Sequence, residues 1–110
     1  MYAVIFEVKP KDEGKEEYLN IASELRKFLE DQEGFISIER FQSLIDQDKI
    51  LSLSFWDSEA AIKKWRNLDK HIIGQKKGKK ELFHSYRIRV AEVVRDYTDL
   101  SRDEAPESSD

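Results

Sequence analysis

The chain has 110 residues and a formal net charge of −4, from 19 Lys+Arg against 23 Asp+Glu. A chain of this length is one domain that buries about two-thirds of its unfolded surface, which excludes a large enzyme with a separate cofactor domain. Five of the acids and one base fall in residues 99–110, so the remainder is balanced and lacks the basic footprint of a nucleic-acid binder; without cysteine, disulfides, thiolate metal sites and cysteine nucleophiles are excluded as well.

The chain opens on Tyr2–Val8 (YAVIFEV), a β-branched and aromatic run that predicts a strand, with Pro10 as its stop because proline cannot donate to a ladder. From Gly14 to Gln32 the period is helical. Tyr18, Ala22, Leu25 and Leu29 form one stripe, which Ile21 and Phe28 widen. Gly34 ends this segment as a residue tolerant of positive φ. Two further strands are predicted, Phe35–Gln42 and Lys49–Trp56, joined through Asp46–Asp48 as a hairpin. Asp57 or Ser58 can cap a second helix whose apolar side carries Ala61, Ile62, Trp65 and Leu68. The pattern weakens from Asp69 to Lys80, where Gly74 and Gly78 act as breakers. Phe83–Asp96 reads as a long last strand, and residues 98–110 as an acidic polar tail, expected to be mobile, after a domain at 1–97.

The order β-α-β-β-α-β predicts an α+β, ferredoxin-like fold: an antiparallel sheet with two helices on one face. Alternation sorts the strand residues into two sets. One holds Val4, Phe6, Val8, Ile36, Ile38, Leu51, Leu53, Phe55, Tyr86, Ile88 and Val90. The other holds Ala3, Ile5, Glu7, Phe35, Ser37, Glu39, Phe41, Ser52, Ser54, Trp56, Arg87, Arg89, Ala91 and Val93. Both sets are rich in large apolar groups, whereas two helices cover one face only. A second copy, sheet against sheet, is the economical cover, so a homodimer is expected. An Asp at Val4 or Ile38 should then break assembly or folding. No apolar run reaches the roughly 18 residues of a membrane span. The N-terminus opens directly into a strand, so a cytoplasmic protein with no membrane partner is the reading.

Four stretches carry a resemblance: GFISIERF (residues 34–41), LSLSFWDSEAAIKKWRN (51–67), HIIGQKKG (71–78) and YRIRVAEVVRDY (86–97). Together they resemble the antibiotic biosynthesis monooxygenase (ABM) domain family, over residues 2–97. The resemblance implies a dimeric α+β barrel of two ferredoxin-like units. It also implies oxidation of a small aromatic, quinol-like substrate with O2 and no bound cofactor. Two alternatives stay open. One is a haem-binding, haem-degrading enzyme; the other is a non-catalytic dimer that binds a small hydrophobic ligand.

The candidate residues follow from that resemblance. Trp65 is the family's pocket tryptophan, able to stack on a flat substrate, and Trp56 precedes it by nine residues; both can equally be core. Asn67, Arg87 and Arg89 are candidate catalytic groups that would hold a phenolate. The arginines can also simply pair with Glu7, Glu39 or Glu92. Glu7, Tyr86 and His71 are candidate substrate contacts. His71 would be the haem ligand of the alternative, but its gap from Trp65 is short and Glu7 stands where haem-degrading relatives carry asparagine. Two histidines thirteen residues apart match no metal motif. Lys76, Lys77, Lys79 and Lys80 read as a solvated loop rather than a phosphate site.

Overall fold

The computed structural model describes residues 1–76 and 83–105, with side chains from 1–68 and 83–105. Strand β1 (Tyr2–Pro10) leads through a single 3-10 turn at Asp12–Gly14 into helix α1 (Lys15–Leu29). Strands β2 (Phe35–Gln42) and β3 (Ile50–Trp56) form a hairpin, helix α2 (Glu59–Lys76) follows, and β4 (Phe83–Glu92) closes the order. The four strands make one antiparallel sheet in the order β2-β3-β1-β4, with the two central strands β3 and β1 paired over Tyr2–Trp56 to Val8–Ile50. This is the ferredoxin-like arrangement.

Local chemistry explains the joints. Gly34 sits at φ 85°, where an L side chain is strained, and an added Cβ would also meet the Ala61 methyl at 2.7 Å. Its carbonyl accepts from Asp57 N–H at 2.9 Å, tying the entry of β2 to the exit of β3. Ser58, not Asp57, caps α2: its hydroxyl accepts from Ala61 N–H at 3.2 Å. In the hairpin, Asp46 accepts from the Asp48 N–H and pairs with Lys9 at 2.7 Å. The Lys9 ammonium and the Asp48 amide hold the Asp46 carboxyl below its ordinary value of 3.8, and the same contact raises Lys9 above 10.5.

Three expectations need correction. Helix α2 continues to Lys76 through Gly74, whose interior cost of about 1 kcal/mol a helix of 18 residues absorbs. Gly78, Lys77, Lys79 and Lys80 lie outside the described residues. Strand β4 stops at Glu92, four residues early, because its one neighbour begins at Tyr2 and the last bond left is Val93 N–H to the Met1 carbonyl at 2.9 Å. After it, Thr98 turns the chain through bonds from Leu100 and Ser101 N–H to its hydroxyl, and Asp96 N–H donates to the Glu104 carboxylate at 2.7 Å.

The third correction concerns the faces. In the observed register Val4 lies opposite Ser54 and Phe6 opposite Ser52, while Ile5 lies opposite Leu53 and Ala3 opposite Phe55. Strand β3 therefore turns Ser52, Ser54 and Trp56 toward the helices and Leu51, Leu53 and Phe55 away from them. Alternation alone groups the apolar residues of β3 with Val4 and Phe6; the antiparallel register reverses that. Strand β2 adds a bulge between Phe35 and Ser37, which spills Ile36 into solvent and keeps both Phe35 and Ile38 on the helix side. Val4 and Ile38 thus face the helices, so a charge there tests folding rather than assembly.

The core forms two clusters beneath the helices. Val8, Tyr18, Ile21, Leu25, Ile50 and Phe83 make one, and Leu29, Trp56 and Ile62 the other, with Trp65 touching both. Among the described residues, no helix is long and apolar enough to cross a membrane.

Candidate functional site

Between the two clusters the helices do not close fully on the sheet, and a cavity of about 90 Å³ remains. Its origin is legible in strand β3. Where a buried sheet face usually carries Val, Ile or Leu, this strand presents Ser52 and Ser54, both buried, and so leaves space above the middle of the sheet. Val4, Phe6, Ile38 and Ile88 form the floor around them, and Tyr18, Leu25, Ile62 and Trp65 line it from the helices.

Trp56 closes one side. It is the last residue of β3, 1% exposed, and is fixed from three directions. Its indole N–H donates to Ser54 Oγ at 2.9 Å. Phe35 meets it edge-on at 5.4 Å. Trp65 lies over it at 6.5 Å between centroids with the ring planes 29° apart, an offset stack. Trp65 reaches this place because Ser58 starts α2 directly after β3, and Ile62 and Trp65 are three residues apart on one helix face.

The cavity's polar lining is one-sided. Arg26 from α1, Arg40 from β2 and Arg66 from α2 all reach it, and among the described residues no carboxylate does. Arg26 is exposed and pairs with Glu30 at 3.4 Å. Arg40 stands opposite Ser52 in the register, and its Nε is buried with no hydrogen-bond partner. A buried donor left unmatched costs about 1–3 kcal/mol. The arrangement can hold a flat apolar molecule against the indoles and present guanidinium donors to an oxygen that carries negative charge.

The sequence candidates divide. Trp56 and Trp65 meet in the cavity. Asn67 is exposed and does not line it, because it lies two residues beyond Trp65, on another side of the helix. Glu7, Arg87 and Arg89 belong to the opposite face of the sheet, since Glu7 pairs with Leu51 and Arg87 in register. There Glu7 meets Arg89 at 3.5 Å and Lys49 at 3.7 Å, so Arg89 makes the structural ion pair. Tyr86 is half-exposed at the sheet end, edge-on to Phe6 at 5.9 Å and Phe83 at 6.2 Å, and outside the cavity lining. The His71 side chain lies outside the described residues. Sequence reasoning missed Arg40, Arg26, Arg66 and the two serines. The signal for Arg40 was present: in FISIERF it continues the alternation of Ile36 and Ile38, a cation in an apolar series.

The model of the antibiotic biosynthesis monooxygenase family matches residues 1–77, from β1 through α2. The chain belongs to this family. Among curated ABM-like relatives, "Jasmonate monooxygenase ABM" of Pyricularia oryzae is 41% identical over 94 residues, 86% of this chain and 44% of that protein. The chain thus spans less than half the length of the fungal relative. "Uncharacterized protein YqjZ" of Bacillus subtilis is 34% identical over 94 residues, 86% of this chain and 80% of that one. The solved structure of Rv0793 from Mycobacterium tuberculosis superposes with a TM-score of 0.74 at 15% identity, covering 88% of this chain and 98% of that one. At that identity the likeness speaks for the fold alone, and the fold it shares is the ferredoxin-like one described above.

Proposed function

We propose that this ABM-family chain is a monooxygenase that oxidises a small, flat, electron-rich organic molecule with O2, without a tightly bound cofactor, as a homodimer. The observation that carries the reading is the offset Trp56–Trp65 stack beside a one-sided cationic lining in a single cavity. Family membership and the name of the fungal relative support the reaction class.

In such a reaction the substrate supplies the electrons. An anthrone-like CH2 group becomes C=O, one oxygen atom of O2 enters the product, and the other leaves as water with the two hydrogens. Losing a proton first makes the ring anion that gives an electron to O2. The indoles would fix the ring plane, and a guanidinium would stabilise the anionic oxygen in a largely apolar, poorly hydrated space where such contacts are strongest. For the dimer, support comes from the open sheet face, where Ile5, Leu51, Leu53 and Phe55 stay partly exposed and Phe41 is 42% exposed.

The test is oxygen consumption on hydroquinones and anthrone-like phenols with a metal chelator present. Uptake should occur, and Trp65→Phe should lower turnover while the melting temperature stays nearly constant, because phenylalanine keeps most of the apolar volume. Silence on every member of the panel would leave a ligand-binding protein without catalysis; uptake abolished by chelator would place a metal in the reaction.

A further inference from the structure

We infer that the cavity takes an organic anion, and that Arg40 is the residue that selects it. The inference rests on the cavity being the substrate site of the proposed monooxygenase and names the substrate class more narrowly. Three arginines line one small space, and among the described residues no carboxylate-bearing residue lines it with them. Arg40 is the informative one. Exposed Arg26 already has Glu30, in solvent, where such a pair is weak. Arg40 carries its Nε–H in the protein with nothing to accept it, directly across the β2–β3 ladder from buried Ser52.

Arg40 as a whole is half-buried, but its Nε–H is shut off from solvent without an acceptor, a cost that folding alone does not explain. An anionic oxygen in the cavity removes that cost when the Arg40 side chain, which lines the cavity, turns its Nε–H toward it. It accepts the charge-assisted bond, and Ser52 beside it supplies a hydroxyl that donates to the same charge. The rest of the wall is aliphatic and aromatic, so the ligand is a small apolar body with one charged end, a carboxylate or an ionised phenol. The neutral relative of such a ligand would leave the Arg40 Nε–H unmatched, which is the kind of mismatch that discriminates strongly. Arg40 then acts by binding the substrate, in contrast to Arg89, whose partner Glu7 is supplied by the fold on the other face.

The experiment is calorimetric titration of the full chain with matched probes. Phenylacetate, phenylpropanoate and phenylbutyrate are set against their primary amides, and para-nitrophenolate against para-nitroanisole. The charged member of at least one family should bind tenfold or more tightly than its neutral counterpart, and the family that does so tells a carboxylate from a phenolate. Arg40→Gln should abolish that preference without lowering the melting temperature, since it removes an unmatched buried N–H. Arg40→Lys, which keeps the charge and loses the Nε–H, should keep part of the preference, and exposed Arg95→Gln should keep all of it. Neutral and charged probes binding alike, or none binding, overturns the inference. So does an Arg40→Gln protein that unfolds, or one that melts several degrees lower with the charge preference intact, because Arg40 is then structural. Binding is measured without turnover, so the two readings fail separately. Anion binding with no oxygen uptake removes the monooxygenase and keeps the anion site; uptake on neutral phenols with no anion preference does the reverse.

Discussion

The two faces of the sheet are built from the same four strands and solve opposite problems. Toward the helices the strands carry large aromatic and aliphatic groups, and the polar groups among them include two buried serine hydroxyls, one of them already bonded to an indole, and an arginine with an open Nε–H donor. Away from the helices, Ile5, Leu51, Leu53 and Phe55 share the surface with Glu7, which is ion-paired on both sides to Lys49 and Arg89. The face turned to the helices thus holds a buried N–H without an acceptor, while on the open face Glu7 is matched by Lys49 and Arg89. Charge matched within the fold is architecture; charge left unmatched next to a cavity is where a ligand is expected.

The largest effect should come from the indole floor. Trp56→Ala deletes a side chain that is 1% exposed and packed by Phe35, Trp65, Leu29 and Ile62, and should cost about 3–5 kcal/mol by urea denaturation. A cost below about 1 kcal/mol would mean that the helices collapse into the site, and the difference between the faces would lose its meaning.

Leu53→Asp comes next, on the open face. If a second copy covers that face, the substitution buries an unpaired charge, and the particle should fall from twice the chain mass to one chain in light scattering. If the face is bare in solution, wild type is already a monomer and the variant changes its stability by less than about 0.5 kcal/mol. The same charge at Val4 should instead unfold the protein, since Val4 packs against the Trp56 cluster.

Glu7→Gln removes the centre of the open-face ion pairs. Its partners are 39% and 46% exposed in their side chains, so the loss should stay below about 1 kcal/mol and shrink in high salt. Oxygen uptake per folded molecule should be unchanged, because Glu7 does not line the cavity.

The smallest effect is at the hairpin. The Asp46 carboxyl is lowered from 3.8 by Lys9 and by the Asp48 amide, so its contribution is complete above 3.8 and is lost as pH falls below that through the lowered folded value. Lys9 is raised from 10.5 by Asp46, so its contribution is complete below 10.5 and fades as pH rises beyond it. Thermal melts of wild type and Asp46→Asn should differ slightly near neutrality and converge at strongly acid pH. A constant gap across that range would assign the effect to the turn and not to the charge.

Particular residues show what was legible in the chain. The stripe of Tyr18, Ile21, Ala22, Leu25 and Leu29 announced α1 and its buried side, since a helical period needs only one segment to be read. Gly34 announced the turn into β2, because positive φ is a property of a single residue. Trp65 could be named from the family resemblance of the stretch that also holds Trp56, and the Ser58 cap in the structure shows how β3 passes into α2 so that the two rings stack. Asn67 is separated from the cavity by its helical spacing from Trp65, which the sequence contains, whereas Arg87 and Arg89 are placed by the β1–β4 register, which lies outside their own segment.

Sequence by itself determined the order of elements, the family resemblance and the presence of two apolar sheet faces, all of which follow from local period and composition. Tertiary structure decided which face is which. Alternation gives each strand two sides with no label, and a shift of one residue in pairing exchanges them. The β1–β3 register set Ser52 and Ser54 under the helices, the bulge at Ile36 kept Ile38 there with Arg40 two residues on, and the same register carried Glu7 and Arg89 to the far side. A cavity lined by residues from several strands and helices exists only after those registers are chosen, which is why Arg40 could be read as a charge in the sequence and as a cavity-lining group only in the fold.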